Sequence, residues 1–315
     1  MQSRYILLTA AKNESDHIGL AVESVLRQTI QPLAWFIVDD GSTDQTAQIV
    51  ANGAAEHPFI RLLSSGTGVT RSFGSKDRAI NAAYAASDGL DVDFVGVQDA
   101  DIALERSDYY ESVIGGLLAN PKLGIAGGYI YEQSHGVWRC RAGNSEDAVA
   151  GGIQFFRRAC FDQIGGYVPM YCGGEDWLAQ IDARMAGWDV LACPELHALH
   201  LRPTSSAGGR WRGLFRLGLM DGAFGSHPVF EALKCGRRIV ARPVLAGSVV
   251  RFCVYAWWKI SGRKPLIAPN KVAFLRSQQI AKMSRLIAHS RCDRKRGRIG
   301  TWSRPERNVR AVDAT

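Results

Sequence analysis

Asp99 and Asp101 stand two residues apart at the end of an apolar run, Phe94-Val95-Gly96-Val97-Gln98-Asp99-Ala100-Asp101. Two carboxylates at one strand end lean toward a single point and repel unless a cation lies between them. A second run, Phe36-Ile37-Val38, ends in Asp39-Asp40, and a third acidic pair, Glu175-Asp176, follows Gly173-Gly174. An apolar run closed by carboxylates reads as a buried strand whose C-terminal end opens into a crevice, the edge where open α/β sheets bind ligands. Magnesium is held by one or two carboxylates together with substrate phosphates. The acidic pairs therefore point to a metal-dependent enzyme acting on a nucleotide diphosphate.

The elements that must position these acids follow from hydrophobic periodicity. Residues 5–10, 35–39, 59–63 and 93–98 read as strands, separated by helical patterns. Ser15 is expected to cap the first helix, the second runs to about His57, and the third spans about 75–86, after a Gly/Ser/Thr loop from Gly66 to Gly74. This alternation predicts a Rossmann-like α/β fold, a mostly parallel sheet flanked by helices. Beyond residue 101 the order is less regular. A helix over about 108–119 precedes a strand-like run at 123–131, a polar loop at 136–146 and a second strand-like run at 150–156. A helix over 175–186 follows, and then short strands at 188–193 and 196–201, separated by Pro194.

Composition divides the 315-residue chain in two. Residues 1–201 carry 14 Lys/Arg against 25 Asp/Glu, a balance of −11; residues 202–315 carry 24 against 5, a balance of +19. A basic segment joined to an acidic body implies an anionic partner. Trp, Phe and aliphatic residues interleave with the cations, which favours an anionic membrane surface over nucleic acid. The most apolar stretch, 239–260, contains Arg242, Pro243 and Arg251, so it reads as a helix lying in the interface, with Trp257-Trp258 at headgroup depth, and not as a span. The seven cysteines form no C-x-x-C pair, and reduced thiols in a cytosolic protein are expected. The domain reading is a catalytic domain over 1–201, with halves meeting near residue 101, then a basic helical region over 202–290 and a disordered tail over 291–315.

Five motifs in order resemble the family 2 glycosyltransferases of GT-A fold: A-K-N-E at 11–14, I-V-D-D-G-S-T-D-Q-T at 37–46, K-D-R-A-I-N at 76–81, Q-D-A-D at 98–101 and G-G-E-D-W at 173–177. The likeness covers about residues 4–201. It implies inverting transfer of a sugar from a nucleotide-diphosphate sugar, UDP-linked by expectation, to a hydroxyl acceptor. The basic, aromatic tail points to a lipid-linked glycan as that acceptor, at the inner face of the cell membrane, in surface-polysaccharide assembly. Asp39 would contact the base or ribose, and Asp40 either caps the turn or binds ligand. Ala10, Asn13 and Glu14 lie beside them, Glu14 reaching a ribose hydroxyl or merely charging a helix N-terminus. Lys76 and Asn81 would sit near the nucleotide, Lys76 offsetting diphosphate charge, with Arg71 a similar candidate. Asp101 would hold Mg²⁺ or Mn²⁺, with Asp99 on ribose or the metal's shell. Asp176 would be the base that deprotonates the acceptor hydroxyl, and Glu175 would aid acceptor binding. His200 is a candidate third metal ligand, whereas His197 packs. Arg202 and Arg210, with Arg212 and Arg216, would close over the leaving diphosphate.

Two other readings compete. Gly66-Thr67-Gly68-Val69-Thr70-Arg71 is similar to the G-x-G-T-R loop of sugar-nucleotide nucleotidyltransferases, but it follows the third strand and not the first. A non-catalytic, membrane-associated protein of the same fold would be expected to lack a metal or base carboxylate, and all are present. The chain shows neither several spanning segments nor a Q-x-x-R-W motif, which favours transfer of one sugar over processive polymerisation.

Overall fold

The computed structural model describes residues 4–64, 73–134, 136–202, 209–238 and 245–296, with side chains for all of these except 73, 210 and 286–296. The N-terminal half alternates as the periodicity predicts: β1 (Tyr5–Ala11), α1 (Ile18–Leu26), β2 (Ala34–Asp39), α2 (Thr46–Glu56), β3 (Ile60–Ser64), α3 (Phe73–Ala85) and β4 (Phe94–Val97). These four strands pair in parallel, in the order β3-β2-β1-β4. β1 is buried along almost its whole length, which is why it reads as a continuous apolar run. Its one polar residue, Thr9, donates to the Gln98 carbonyl at 2.7 Å and accepts from Trp35 Nε1 at 2.9 Å, so three strands are tied by satisfied buried groups. Ser15 does not cap α1. That helix begins at Ile18 with no side-chain cap, and the Ser15 amide instead donates to Asp44 at 3.1 Å.

The second half continues with β5 (Ile102–Leu104), α4 (Tyr109–Ala119), β6 (Leu123–Ser134) and β7 (Val137–Cys140). A 3₁₀ turn (Gly151–Ile153), β8 (Phe155–Arg157), α5 (Arg158–Ile164), α6 (Glu175–Met185) and β9 (Asp189–His200) complete it. The sheet extends as β4-β8-β6-β9-β5, with β7 pairing β6 and antiparallel contacts at β8, β5 and β7. Three expectations change here. Residues 137–140 form a hairpin strand inside the expected polar loop. The run at 150–156 is a 3₁₀ turn followed by a short strand. Finally, the two strands expected around Pro194 are one strand, β9. Its register against β6 jumps from Gly128–Cys193 to Tyr129–His197, so residues 194–196 bulge out, as a proline without an amide hydrogen requires.

The basic region folds as α7 (Arg210–Ala223), α8 (Pro228–Arg237), α9 (Ala246–Ile260) and α10 (Pro269–Arg296). Small residues let α7 approach α9: a Cβ at Gly222 would lie 2.7 Å from Trp258 Cβ, and one at Gly218 would lie 2.5 Å from the Arg251 carbonyl. The bundle is seated on α6. Met170, Cys172, Leu178 and Ile181 share a second core with Phe224, Trp258 and Leu275, and Trp177 stacks on Phe224 at 4.4 Å.

The expected tryptophan pair at a membrane face is thereby split. Trp258 is buried in this core while Trp257 is 46% exposed. Arg251, the residue that argued against a span, is also buried. Its guanidinium grips Asp221 through bonds of 2.7 and 3.1 Å, and Lys234 meets the same carboxylate at 2.8 Å. No helix among the described residues is long and apolar enough to cross a membrane. Helix α10 runs to Arg296, into the segment expected to be a disordered tail. All cysteines with described side chains are free thiols.

Candidate functional site

The acidic crevice is built around the turn that follows β4. Gln98 is buried and donates its amide to the Ile102 carbonyl at 2.9 Å, while the Ile102 amide donates to the Asp99 carbonyl at 3.1 Å. These bonds close the 98–102 turn and fix the directions of Asp99 and Asp101. Asp99 Oδ1 lies 2.6 Å from Lys76 Nζ, so Lys76 is ion-paired beside this turn and is not a solvated surface residue. Burial alone would lower the pKa of this ammonium, but Asp99 and Glu175 outweigh it and drive the value well above the ordinary one.

Asp101 faces two other partners. Its Oδ2 lies 3.3 Å from His200 Nε2 and 3.2 Å from Arg202 Nη2. Although burial would raise it, His200 and Arg202 bring the Asp101 carboxyl down to about 2. Burial likewise opposes charge on His200, and hydrogen bonds to Asp101 and Glu132 reverse that, pushing its imidazole up to about 9. The bulge in β9 makes this meeting possible: after it, His200 pairs in register with both Glu132 on β6 and Ile102 on β5.

Asp101 and His200 would fit a divalent cation once the imidazole gives up the proton it holds against Asp101. Adjacent ligands of an octahedral ion with bonds of about 2.1 Å lie about 3 Å apart, close to the 3.3 Å between Asp101 and His200. Glu132 stands 3.5 Å from the other nitrogen of the same ring, a carboxylate placed to orient a ligating imidazole. Among the described residues no group of three or more His, Cys, Asp or Glu side chains is arranged to hold a metal ion. A cation held by Asp101 and His200 would need its remaining ligands from substrate oxygens.

The base candidate is joined to this turn through Gly151-Gly152. The Asp99 amide donates to the Gly152 carbonyl at 3.0 Å, and the Gly151 amide donates to Asp176 Oδ2 at 3.0 Å. A Cβ at Gly152 would stand 2.8 Å from Asp99 Oδ2, and one at Gly151 would stand 2.7 Å from Asp176 Cβ. Only hydrogen fits at either place. Glu175 is buried beside Asp176; burial and the neighbouring carboxylate raise its pKa, with Lys76 opposing. Arg216 on α7 is half-buried. Burial lowers its pKa, and the charges of Glu175 and Asp176 oppose that shift.

Other expected residues are placed differently. Asp39, not Asp40, caps the turn after β2, accepting the Ser42 amide at 3.2 Å, whereas Asp40 is buried 3.7 Å from Lys12 Nζ. Asn13, at φ 54°, pins the same turn: its side chain accepts the Thr43 amide at 2.8 Å and its own amide donates to Ser42 Oγ at 3.0 Å. The Glu14 carbonyl accepts the Ile18 amide at 2.8 Å where α1 begins, while its carboxylate is ion-paired with Arg202. Ala10 pairs in register with Val38. Asn81, expected near the nucleotide, uses its amide on both backbone groups of Tyr167, at 2.7 and 3.0 Å. His197 packs tilted against Tyr131, ring centres 4.2 Å apart, and meets Glu105 at 2.6 Å. Arg71, the Gly66–Arg71 loop and the Arg210 side chain lie outside the described residues, and Arg212 is exposed.

Sequence reasoning missed Asp77, Gly151 and Gly152. Asp77 is fully buried; its Oδ2 accepts the Met170 amide at 3.2 Å and its Oδ1 has no partner. Burial, and then the nearby Glu175, raise its pKa to about 7. Its only sequence signal was an acid between two cations, Lys76 and Arg78, a pattern that also describes a solvated helix face.

Comparison with known proteins shows the family and the fold. The model of the family described as Glycosyl transferase family 2 matches residues 7–174, more than half the chain. The chain is 39% identical over 95 residues to chondroitin synthase of Escherichia coli, covering 30% of this chain and 12% of that protein. It is 29% identical over 186 residues to beta-monoglucosyldiacylglycerol synthase of Synechocystis sp., covering 51% and 36%. It thus spans little more than a third, at most, of either relative's length. Among solved structures, the mannosyltransferase PcManGT from Pyrobaculum calidifontis, in complex with GDP-Man and Mn²⁺, superposes with a TM-score of 0.54 at 15% identity, over 93% of this chain and 80% of that one. TarS 1-349 of S. aureus with UDP-GlcNAc gives 0.53 at 12%, over 82% and 73%. The fold is GT-A, and the chain belongs to glycosyl transferase family 2.

Proposed function

We propose that the protein is an inverting glycosyltransferase that moves one sugar from a nucleotide-diphosphate sugar to a hydroxyl acceptor. The observation that carries this reading is the Gly151-Gly152 turn, whose two ends hold the Asp99 backbone and the Asp176 carboxylate. It supports a reading in which Asp99 and Asp101 would bind the cation and Asp176, beside Glu175, would act on the acceptor.

Asp176 is the base: a carboxylate fixed by one amide keeps a free lone pair for the acceptor hydroxyl proton as that oxygen attacks the sugar's anomeric carbon. Lys76, Arg202 and Arg216 supply positive charge where the diphosphate leaves. Asp101 and His200 would hold a divalent cation, and the imidazole suits Mn²⁺ better than Mg²⁺. When bound, that cation neutralises diphosphate charge. Arg202 sits on Asp101 at 3.2 Å, so a cation on that carboxylate would take the place of this contact. Asp39 and Asp40 line the nucleotide end. Neighbours of this fold bind GDP-Man and UDP-GlcNAc, and a UDP- or GDP-sugar is the donor to test here. The basic helical region would hold the enzyme on the inner face of a membrane, beside a lipid-linked glycan acceptor in surface-polysaccharide assembly.

Calorimetric titration of UDP- and GDP-sugars, with and without Mn²⁺, tests the donor site. The expected result is metal-dependent binding of one donor, weakened at least tenfold by Asp101→Asn. Binding that ignores both the metal and the substitution would overturn this account of the site.

A further inference from the structure

Asp77 sits on α3 directly after Lys76 and is fully buried. Its Oδ2 accepts the Met170 amide at 3.2 Å, and its Oδ1, equally buried, has no hydrogen-bond partner among the described residues. A buried carboxyl with one oxygen unmatched costs stability. The charges acting on it are those of Glu175, Lys76 and Asp176, and the two acids add to that cost. A side chain that breaks the rule for buried polar atoms beside a reacting centre points to a role at that centre.

Asp77 holds the lead into α6. The Gly173 amide donates to the Met170 carbonyl at 3.2 Å, and the Leu178 amide donates to the Gly174 carbonyl at 2.8 Å, opening the helix whose first residues are Glu175 and Asp176. Gly173 and Gly174 have φ of 76° and 96°. Two successive glycines in the left-handed region make a pliable joint, so the start of the helix needs a hold upstream of them. Asp77 supplies one at Met170. Asn81, one turn further along α3, grips both backbone groups of Tyr167 at 2.7 and 3.0 Å. Lys76, the neighbour of Asp77, lies 2.6 Å from Asp99. One helix therefore pairs with Asp99 through one side chain and holds the approach to Glu175-Asp176 through two others.

We propose that Asp77 is a positioning residue for sugar transfer: by holding Met170 to α3 it fixes the turn that sets the place of Asp176. The assignment rests on the reading of Asp176 as the base. It gives α3 a task on each half of the site, through adjacent residues.

The test compares Asp77→Leu with Asp77→Asn in the full chain, with UDP-glucose and GDP-mannose as donors, Mn²⁺ present and water as the acceptor. Leucine fills the space and abandons the Met170 amide; asparagine keeps an acceptor for it. Amide exchange over residues 168–174 reads the hold directly. Leucine is expected to speed that exchange about tenfold or more, and asparagine to leave it within about threefold of wild type. Below the melting temperature of each variant, leucine is expected to lower diphosphate release about tenfold or more with donor affinity within about threefold, and asparagine to restore release. Exchange that leucine leaves unchanged refutes the hold. Release within about threefold of wild type in the leucine variant refutes the positioning role, as does an asparagine variant as slow as the leucine one. Donor affinity that falls in step with release marks Asp77 as packing for the whole site, and also refutes it. A wild type that releases diphosphate from neither donor, while exchange still separates leucine from asparagine, places the failure in the transferase reading and leaves the hold on Met170 standing.

Discussion

Replacing Gly151 by alanine tests the link between the two halves of the site. Gly151 is not among the residues with positive φ, so its backbone accepts alanine without strain. Its amide, which holds Asp176 Oδ2, is retained. The only change is a methyl group whose carbon would stand 2.7 Å from Asp176 Cβ and 3.0 Å from its Oδ2. Ordinary carbon contacts begin near 3.4 Å, so the Asp176 side chain must retreat by about 0.7 Å. A displacement of about 1 Å in a reacting group costs on the order of 100-fold, or about 2.7 kcal/mol at 1.36 kcal/mol per tenfold. Overpacking should also cost about 1–3 kcal/mol of stability, read as a lower Tm. The assay is nucleoside diphosphate release from whichever donor binds, beside donor affinity. Release should fall about 100-fold while affinity changes less than threefold. Gly19→Ala, where an added Cβ meets nothing within 4 Å, should leave both unchanged. A Gly151→Ala protein turning over within threefold of wild type would show that Asp176 need not stand where this turn holds it.

Asp77→Asn should alter the pH dependence of stability. The folded protein holds this carboxyl near 7, whereas an unfolded chain releases the proton near 4. Between those values the native state binds more protons, so wild-type stability falls as pH rises from about 4 to about 7. Asparagine keeps an acceptor for the Met170 amide and cannot ionise. Thermal scans should therefore show Asp77→Asn level with wild type near pH 4 and more stable above pH 7; a constant gap across that range would contradict this. Arg251→Leu leaves Asp221, 1% exposed, with Lys234 alone. Breaking a buried pair costs about 3–5 kcal/mol, to be checked by urea unfolding, and a cost below about 1 kcal/mol would show the pair to be dispensable.

The N-terminal half was legible because its strands are buried on both faces and end in carboxylates, so one pattern marks both β2 with Asp39-Asp40 and β4 with Asp99-Asp101. Glu175-Asp176 was legible for a related reason: two acids open α6 directly after a Gly-Gly turn. The remaining parts of the site depend on contacts between distant segments. Gly151-Gly152 read as strand because its neighbours Ile153 and Phe155 are apolar, while its role lies in having no side chain against Asp99 and Asp176. The three-residue β5 is too short to show periodicity. Pro194 split β9 on paper, yet in the fold it makes the bulge that carries His200 to Asp101. Cations interleaved with aromatics describe a membrane face and a helical bundle equally well. In this protein Trp258 and Arg251 are spent inside the bundle, and the sequence held no sign of the Asp221 that receives Arg251.

Asp176→Asn addresses the central claim most directly. Asparagine preserves the shape and an acceptor for the Gly151 amide, and removes only the capacity to take a proton. Donor affinity and single-turnover transfer should be measured together, with saturating Mn²⁺. The account predicts an affinity within about twofold of wild type and a transfer rate lower by about 10²–10⁴. Transfer retained within tenfold, or a donor affinity lost in step with the rate, would contradict the assignment of Asp176 as the base.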